Sequence, residues 1–350
     1  MFFSEGFQIS SELLKEYGAV DISLVCDIPL FIDPMLIFNS EKEIYKNLHK
    51  SIIRYFHFLY TKAEQGLTMK EVSAWFNFSE VPNNWLGYSL VGNKGLALGK
   101  EYAKFLYENI AFAINTHGIS KSKHIEKVML LYDGSGKDKI SDLTVNLIKG
   151  FLCEYTENFA LQYLDERFLE KFPVDKAYFN YETESFVSKE YCLPYVLDEK
   201  GRKEYVLLTP YDILREDEPS INKKDFYESH ERIRNAIEND TLRTYVNNYI
   251  GLAVRQYEEM QRGKRRSIRE KSIRKIEKDA FKELVREYPE LYDYYIRLRE
   301  TDVDKIRSQS LAELNEQIEK LCVASQKIIS LFKNLNYQTN EQLTAREEAK

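Results

Sequence analysis

With 350 residues and 43% hydrophobic content, the chain is long enough to bury a full core and form about two structural units, so it needs no metal or disulfide staples merely to fold. A charged fraction of 30% and a net charge of -6 give no global attraction to polyanions, so any affinity for nucleic acid has to be local. No apolar run of about 18 residues occurs, nor a basic region leading into an unbroken apolar stretch, which argues against membrane spans and export.

Residues 19–39 hold two extended apolar runs, ISLVC and PLFID through MLIF, punctuated by Asp27, Pro29, Asp33 and Pro34, which predicts strand, turn, strand. Between Glu41 and Glu64, Ile44, Leu48, Ile52, Tyr55, Phe56 and Leu59 recur at steps of three and four, predicting a helix with one buried face and Ser40 as its N-cap. Glycine is scarce, yet Gly87, Gly92, Gly95 and Gly99 crowd one stretch, which suggests a functional loop leading into a helix over 100–114. VMLLY then reads as a buried strand, DGSGKDK as a loop, and Ser141 as the N-cap of a long amphipathic helix.

Strands follow over 176–182, 186–197 and 205–209, with DEKGRKE as the hairpin turn between the last two. Past Pro219 glycine and proline nearly vanish and helical spacing takes over. The expected fold is therefore α/β (α+β): residues 1–219 as a mixed-sheet module with flanking helices, 220–336 as a helical module, and 337–350 as a flexible tail. Leu311, Leu314, Ile318, Leu321, Ser325, Ile328, Phe332 and Leu335 keep a heptad spacing, the pattern of a coiled-coil-like helix that packs within the chain or sets a homo-oligomer or hetero-complex.

Candidate chemistry concentrates in DGSGKDKISDL. Asp133, Asp138 and Asp142 gather there where a predicted strand meets a helix, the place at which open α/β sheets set their ligands. Carboxylates so grouped suit Mg or Mn, with Glu80 as a further ligand, and Lys137 or Lys139 would steady charge developing on a phosphate. The same residues also make an ordinary turn and helix start. The acid-x-Lys triplet of restriction-type nucleases is absent or degenerate, since Asp198-Glu199-Lys200 falls in a hairpin turn.

The ending of the glycine-rich stretch is no P-loop, because three residues separate Gly95 from Gly99 and Glu101 replaces Ser or Thr. Gly92, Gly95, Gly99 and Lys100 still suit a backbone cradle for phosphate. A second basic feature is QRGKRRSIREKSIRKIEK, where Arg262, Lys264, Arg265, Arg266, Arg269, Lys271, Arg274 and Lys275 crowd a chain that is otherwise acidic. It reads as a basic helix able to hold a phosphate backbone without reading sequence, or as a solvated face paired with nearby acids.

Cys26, Cys153, Cys192 and Cys322 show no CxxC spacing and read as reduced thiols of a cytoplasmic protein. The histidines form no spaced ligand pair, although His124 is able to approach the aspartate loop. The 25 tyrosines and 20 phenylalanines read as an aromatic core rather than as base-stacking platforms.

The string KDKISDLTVNLIKGFLCEYTENFA, with CLPY through VLLTPYDIL after it and IDPMLIF and the glycine-rich LGYS segment before it, resembles bacterial proteins associated with phage defence and restriction. The likeness covers most of the first two hundred residues and implies cytoplasmic antiviral defence, with no residue roles to carry over. The expected function is a nucleic-acid-processing effector, a metal-dependent nuclease. The alternative is a non-catalytic nucleic-acid- or protein-binding sensor or scaffold subunit of a defence complex.

Overall fold

A computed structural model describes residues 1–65, 67, 69–76, 78, 81–87, 103, 104, 107, 124, 127, 130, 137–198, 200–216, 220–263 and 269–302. The chain divides into Met1–Val303 and Asp304–Lys350, and the described residues all belong to the first unit. Helices predominate among them, and two small antiparallel sheets complete an α+β fold whose C-terminal part is helical. No described helix is long and apolar enough to cross a membrane. The expected heptad helix and flexible tail lie outside the described residues.

Two short helices open the chain, α1 (Phe3–Gly6) and α2 (Ser11–Tyr17). Ser10 caps α2 by accepting the Glu12 N–H at 3.1 Å, and Gly18 ends it in the left-handed region at φ +86. The segment expected as strand, turn, strand forms only a two-residue strand, β1 (Phe31–Ile32), followed by a helix, α3 (Pro34–Phe38). Asp33 is the reason. Its Oδ1 accepts the Met35 N–H at 3.0 Å and Pro34 enters the first turn, so MLIF starts as a helix despite its strand-like apolar run.

Helix α4 (Glu43–Glu64) has the expected face, burying Ile52, Tyr55, Phe56 and Leu59, but Tyr45 is buried in place of Ile44, which is 54% exposed. Ser40 accepts the Lys42 N–H at 3.3 Å just ahead of it. Helix α5 (Met69–Phe76) follows. Leu130, the described residue of VMLLY, is helical and buried rather than part of a strand.

Helix α6 (Lys137–Tyr163) begins four residues before Ser141, which therefore lies inside the helix and is not its cap. The buried Ser141 hydroxyl instead accepts the Ile32 N–H at 3.1 Å, joining α6 to β1. Far from being amphipathic, α6 is buried around most of its circumference, from Ile140 and Leu143 to Leu152 and Phe159. Its polar residues mislead a periodicity reading because they are satisfied internally: Thr144 and Thr156 donate to the carbonyls of Ile140 and Leu152, each at 2.7 Å.

Against α6 lies a meander of β2 (Leu169–Asn180), β3 (Ser185–Leu197) and β4 (Lys203–Tyr205). The β2–β3 register runs from Leu169↔Pro194 to Asn180↔Ser185 and slips between Val174 and Tyr178, where Lys176 takes φ +54. The first strand starts earlier than expected and the third ends sooner. Beyond β4 the backbone of 206–208 enters the core, its donors taken by separate elements: Val206 N–H by Pro194 O, Leu207 N–H by Asn83 O and Leu208 N–H by Thr156 Oγ1. The short β5 (Leu214–Arg215) then pairs antiparallel with β1.

The C-terminal helices are α7 (Lys223–Glu228), α8 (His230–Ala236), α9 (Asp240–Gly263), α10 (Glu270–Glu287) and α11 (Leu291–Thr301). They share a core of Phe226, Ile233, Val246, Phe281, Leu284 and Tyr295 that also takes in Met35 of α3. Asp33, only 1% exposed, fastens this part to the rest. Its Oδ2 accepts Ser220 N–H at 2.9 Å and Ser220 O–H at 2.7 Å, with Arg215 at 3.6 Å, while Arg299 of α11 donates to Ser220 O at 2.7 Å. Replacing Asp33 with Ala strands these donors and the Arg215 charge in the interior, so a loss of about 3 kcal/mol is expected in urea unfolding.

A second expectation concerns pH. The Asp198 carboxylate accepts Arg202 N–H and Nε–H, each at 2.8 Å, and Lys200 N–H at 2.9 Å, and these bonds, the Arg202 backbone first, hold its pKa down at about 2. A depressed folded value means the turn is fully supported above the ordinary 3.8 and loses that support as pH falls through about 2. The Arg202 amide proton shift should follow this titration.

Candidate functional site

Helices α9 and α10 run antiparallel, with Tyr245 against Tyr288 at 5.1 Å and the Tyr249 hydroxyl donating to Glu283 at 2.7 Å. Val246, Ile250, Phe281 and Leu284 anchor one end of the pair in the core. Past Ile250 on α9 and before Ala280 on α10, none of the described residues is buried, although twelve residues of helix from 251 to 262 extend for about 18 Å. The basic run sits at this distal end. It does not form a single helix: the described part of α9 reaches Gly263, Arg269 is extended, and α10 starts at Glu270. Arg262, Arg269, Lys271, Arg274 and Lys275 are exposed, and Arg274 pairs with Glu270 at 2.8 Å. Lys264, Arg265 and Arg266 lie outside the described residues.

The proposed acidic centre is placed only in part. Positions 138 and 142 stand one turn apart at the start of α6, and Lys139 and Asp142 are half-buried. Asp133 and Glu80, and Gly92, Gly95, Gly99 and Lys100 of the phosphate cradle, lie outside the described residues. Among the described residues no group of three or more His, Cys, Asp or Glu side chains is placed to hold a metal ion. His124 is engaged elsewhere than at the aspartates, with Nε2 2.8 Å from Glu300 of α11 and its ring against Phe38 at 4.5 Å; nearby, Lys127 pairs with Asp293.

A feature that the linear pattern does not reveal is a cleft of about 520 Å³ between α4, α6 and the β2–β3 hairpin. Tyr55 comes from α4, Asn146 and Phe151 from α6, and Phe179, Phe186 and Tyr191 from the two strands. The floor depends on Gly150, where an added Cβ would lie 2.7 Å from the Ala177 carbonyl oxygen. The bulge at Lys176 brings that backbone in. Lys149 holds it there by donating to Asp175 O at 3.0 Å, and Ser188 binds the Asp175 carboxylate at 2.9 Å.

A family model described as a domain of unknown function (DUF8370) matches residues 8–222. The chain belongs to the DUF8370 family. No curated protein and no solved structure matches it. The DUF8370 region contains α6, the meander and the whole cleft, and it ends ahead of α7, so the basic segment is carried by the part of the chain beyond the match. Alternation along β3 marks Tyr191 and Leu193 as inward-facing, but nothing in that strand shows that Tyr191 meets a cavity.

Because the Gly150 contact is with backbone, Gly150→Ala is expected to cost about 1–3 kcal/mol through displacement of the bulge, despite the better helix propensity of alanine. Thermal unfolding, with the amide shifts of 174–178 as a local readout, checks this.

Proposed function

We propose that the protein binds nucleic acid through the basic segment 262–275 at the junction of α9 and α10, as the strand-holding part of an effector that acts on nucleic acid in antiviral defence. One observation carries this reading. Residues 262–275 contain eight cations and one acid in a chain of net charge -6, and the described cations stand exposed at the end of a helix pair where none of the described residues is fully buried. Such a cluster gains affinity by releasing counterions from phosphates and offers no means of reading bases. The free thiols of Cys26, Cys153 and Cys192 support the cytoplasmic placement that goes with it.

The hydrolytic reading, with Mg or Mn, is supported by one geometric fact: positions 138 and 142 are a turn apart at the start of α6, with Lys139 between them. In that reading Asp138 and Asp142 are ligands that Asp133 and Glu80 would complete.

Fluorescence anisotropy with labelled single- and double-stranded oligonucleotides over a range of salt tests the binding. Combining Arg262→Glu with Lys271→Glu should weaken binding about tenfold on every sequence alike and lower the salt slope by about 1 for each phosphate that is no longer neutralised. Affinity unchanged by both substitutions would remove the basic segment as the interface. Incubating the same oligonucleotides with Mg²⁺ or Mn²⁺ beside Asp142→Ala separates the two readings, because cleavage that the variant loses belongs to the acidic centre and binding without cleavage to a sensor.

A further inference from the structure

One side of α9 carries an apolar stripe that reaches solvent. Tyr245, Tyr249, Leu252, Gln256 and Met260 follow one another at steps of four, three, four and four residues, which sets them on one side of the helix over about 22 Å. Tyr245, Leu252 and Met260 are 41%, 55% and 58% exposed, and Gln256 is exposed between them. A helix face that meets only water is polar, so three large apolar side chains in line on one face mark a surface for a partner.

The stripe fits a copy of itself. With a second α9 laid antiparallel across it and a two-fold axis beside Leu252, Tyr245 of one copy comes opposite Met260 of the other, and Tyr249 opposite Gln256. Each ring then meets a long, adaptable side chain, and the same patch serves both copies, as a two-fold interface requires.

Charge selects the same orientation. The start of α10 exposes Arg269, Lys271, Arg274 and Lys275 around one acid, Glu270, whereas its far end exposes Glu283, Glu287 and Glu290 against one cation, Arg286. Parallel copies would set like charges side by side, and antiparallel copies set basic against acidic ends. The Tyr249 hydroxyl bonds Glu283 at 2.7 Å and Tyr245 lies 5.1 Å from Tyr288, so Leu252 stands level with Ala280 of α10. A two-fold axis at that level brings Arg269 of one copy to Glu290 of the other.

We propose that two copies of this chain associate antiparallel through the Tyr245–Met260 stripe of α9, with the basic start of each α10 against the acidic end of the other. The surface lies beyond the DUF8370 match. It does not rest on the strand-binding reading, and its test contains no nucleic acid, so the two fail separately.

Sedimentation equilibrium of the full chain over a range of concentrations tests this. The chain should dimerise, and Leu252→Asp, which sets two carboxylates beside the axis, should weaken the dimer about tenfold or more. Leu252 is exposed, so the variant should fold, and circular dichroism checks that it does. Arg269→Glu and Glu290→Arg should each weaken association, and the two combined should restore it, because opposite charges then meet again across the axis. Within one chain these residues stand at opposite ends of α10, about 30 Å apart, so restoration comes only through a second copy. A chain that stays monomeric, a dimer that Leu252→Asp leaves undiminished, or no restoration by the combined reversal overturns the proposal.

Discussion

The buried carboxylate of Asp33 is the constraint on which the arrangement of the described unit rests. It caps α3, receives both donors of Ser220, faces Arg215, and through Ser220 reaches Arg299 of the last described helix. A charge removed from water at such cost is tolerated only where several donors surround it. Those donors come from the strand β5, the connection into the helical part and the start of α3. The position of Asp33 thus fixes how the two halves of the sequence meet, and Met35, two residues on, carries the apolar side of the same junction into the helical core.

Helix α6 plays the complementary part. It presents Ser141 to β1, Thr156 to the segment after β4, and Gly150 to the β2 bulge, so strands distant in sequence are measured against one buried rod. The cleft follows from this arrangement, because the glycine lets α6 touch the bulge at Ala177 while the aromatic residues on either side hold the walls apart.

Local signals were legible where one interaction decides the structure. The face of α4, the β3–β4 turn at 198–202 and the helical character after Asn222 are all set by neighbours in the chain, and Asn222 caps α7 by accepting the Asp225 N–H at 2.8 Å. The apolar run at 34–38 was misread because the Asp33-Pro34 start signal outweighs hydrophobic pattern over so short a span. Helix α6 was misread because Ser141, Thr144 and Thr156 resemble a wet face while bonding inside the protein. The basic run was visible as composition. The cleft was invisible, since residues 48–55, 146–154 and 177–191 contribute to it from three separate stretches and no periodicity links them.

The path of residues 206–208 bears on how the molecule assembles. Each of its three backbone donors needs a different acceptor, supplied by β3, the turn at Asn83 and α6, and none of these is its chain neighbour. A peptide group left unpaired in the interior is unfavourable, so this stretch gains little by entering before all three are in place. Its loops to Asn83 and Thr156 close over long spans of sequence, which favours late, slow formation. Insertion of 206–208 is accordingly a closing event in folding, after which the end of the meander is tied to α6 through Leu208 and Thr156 and to the turn at Asn83 through Leu207.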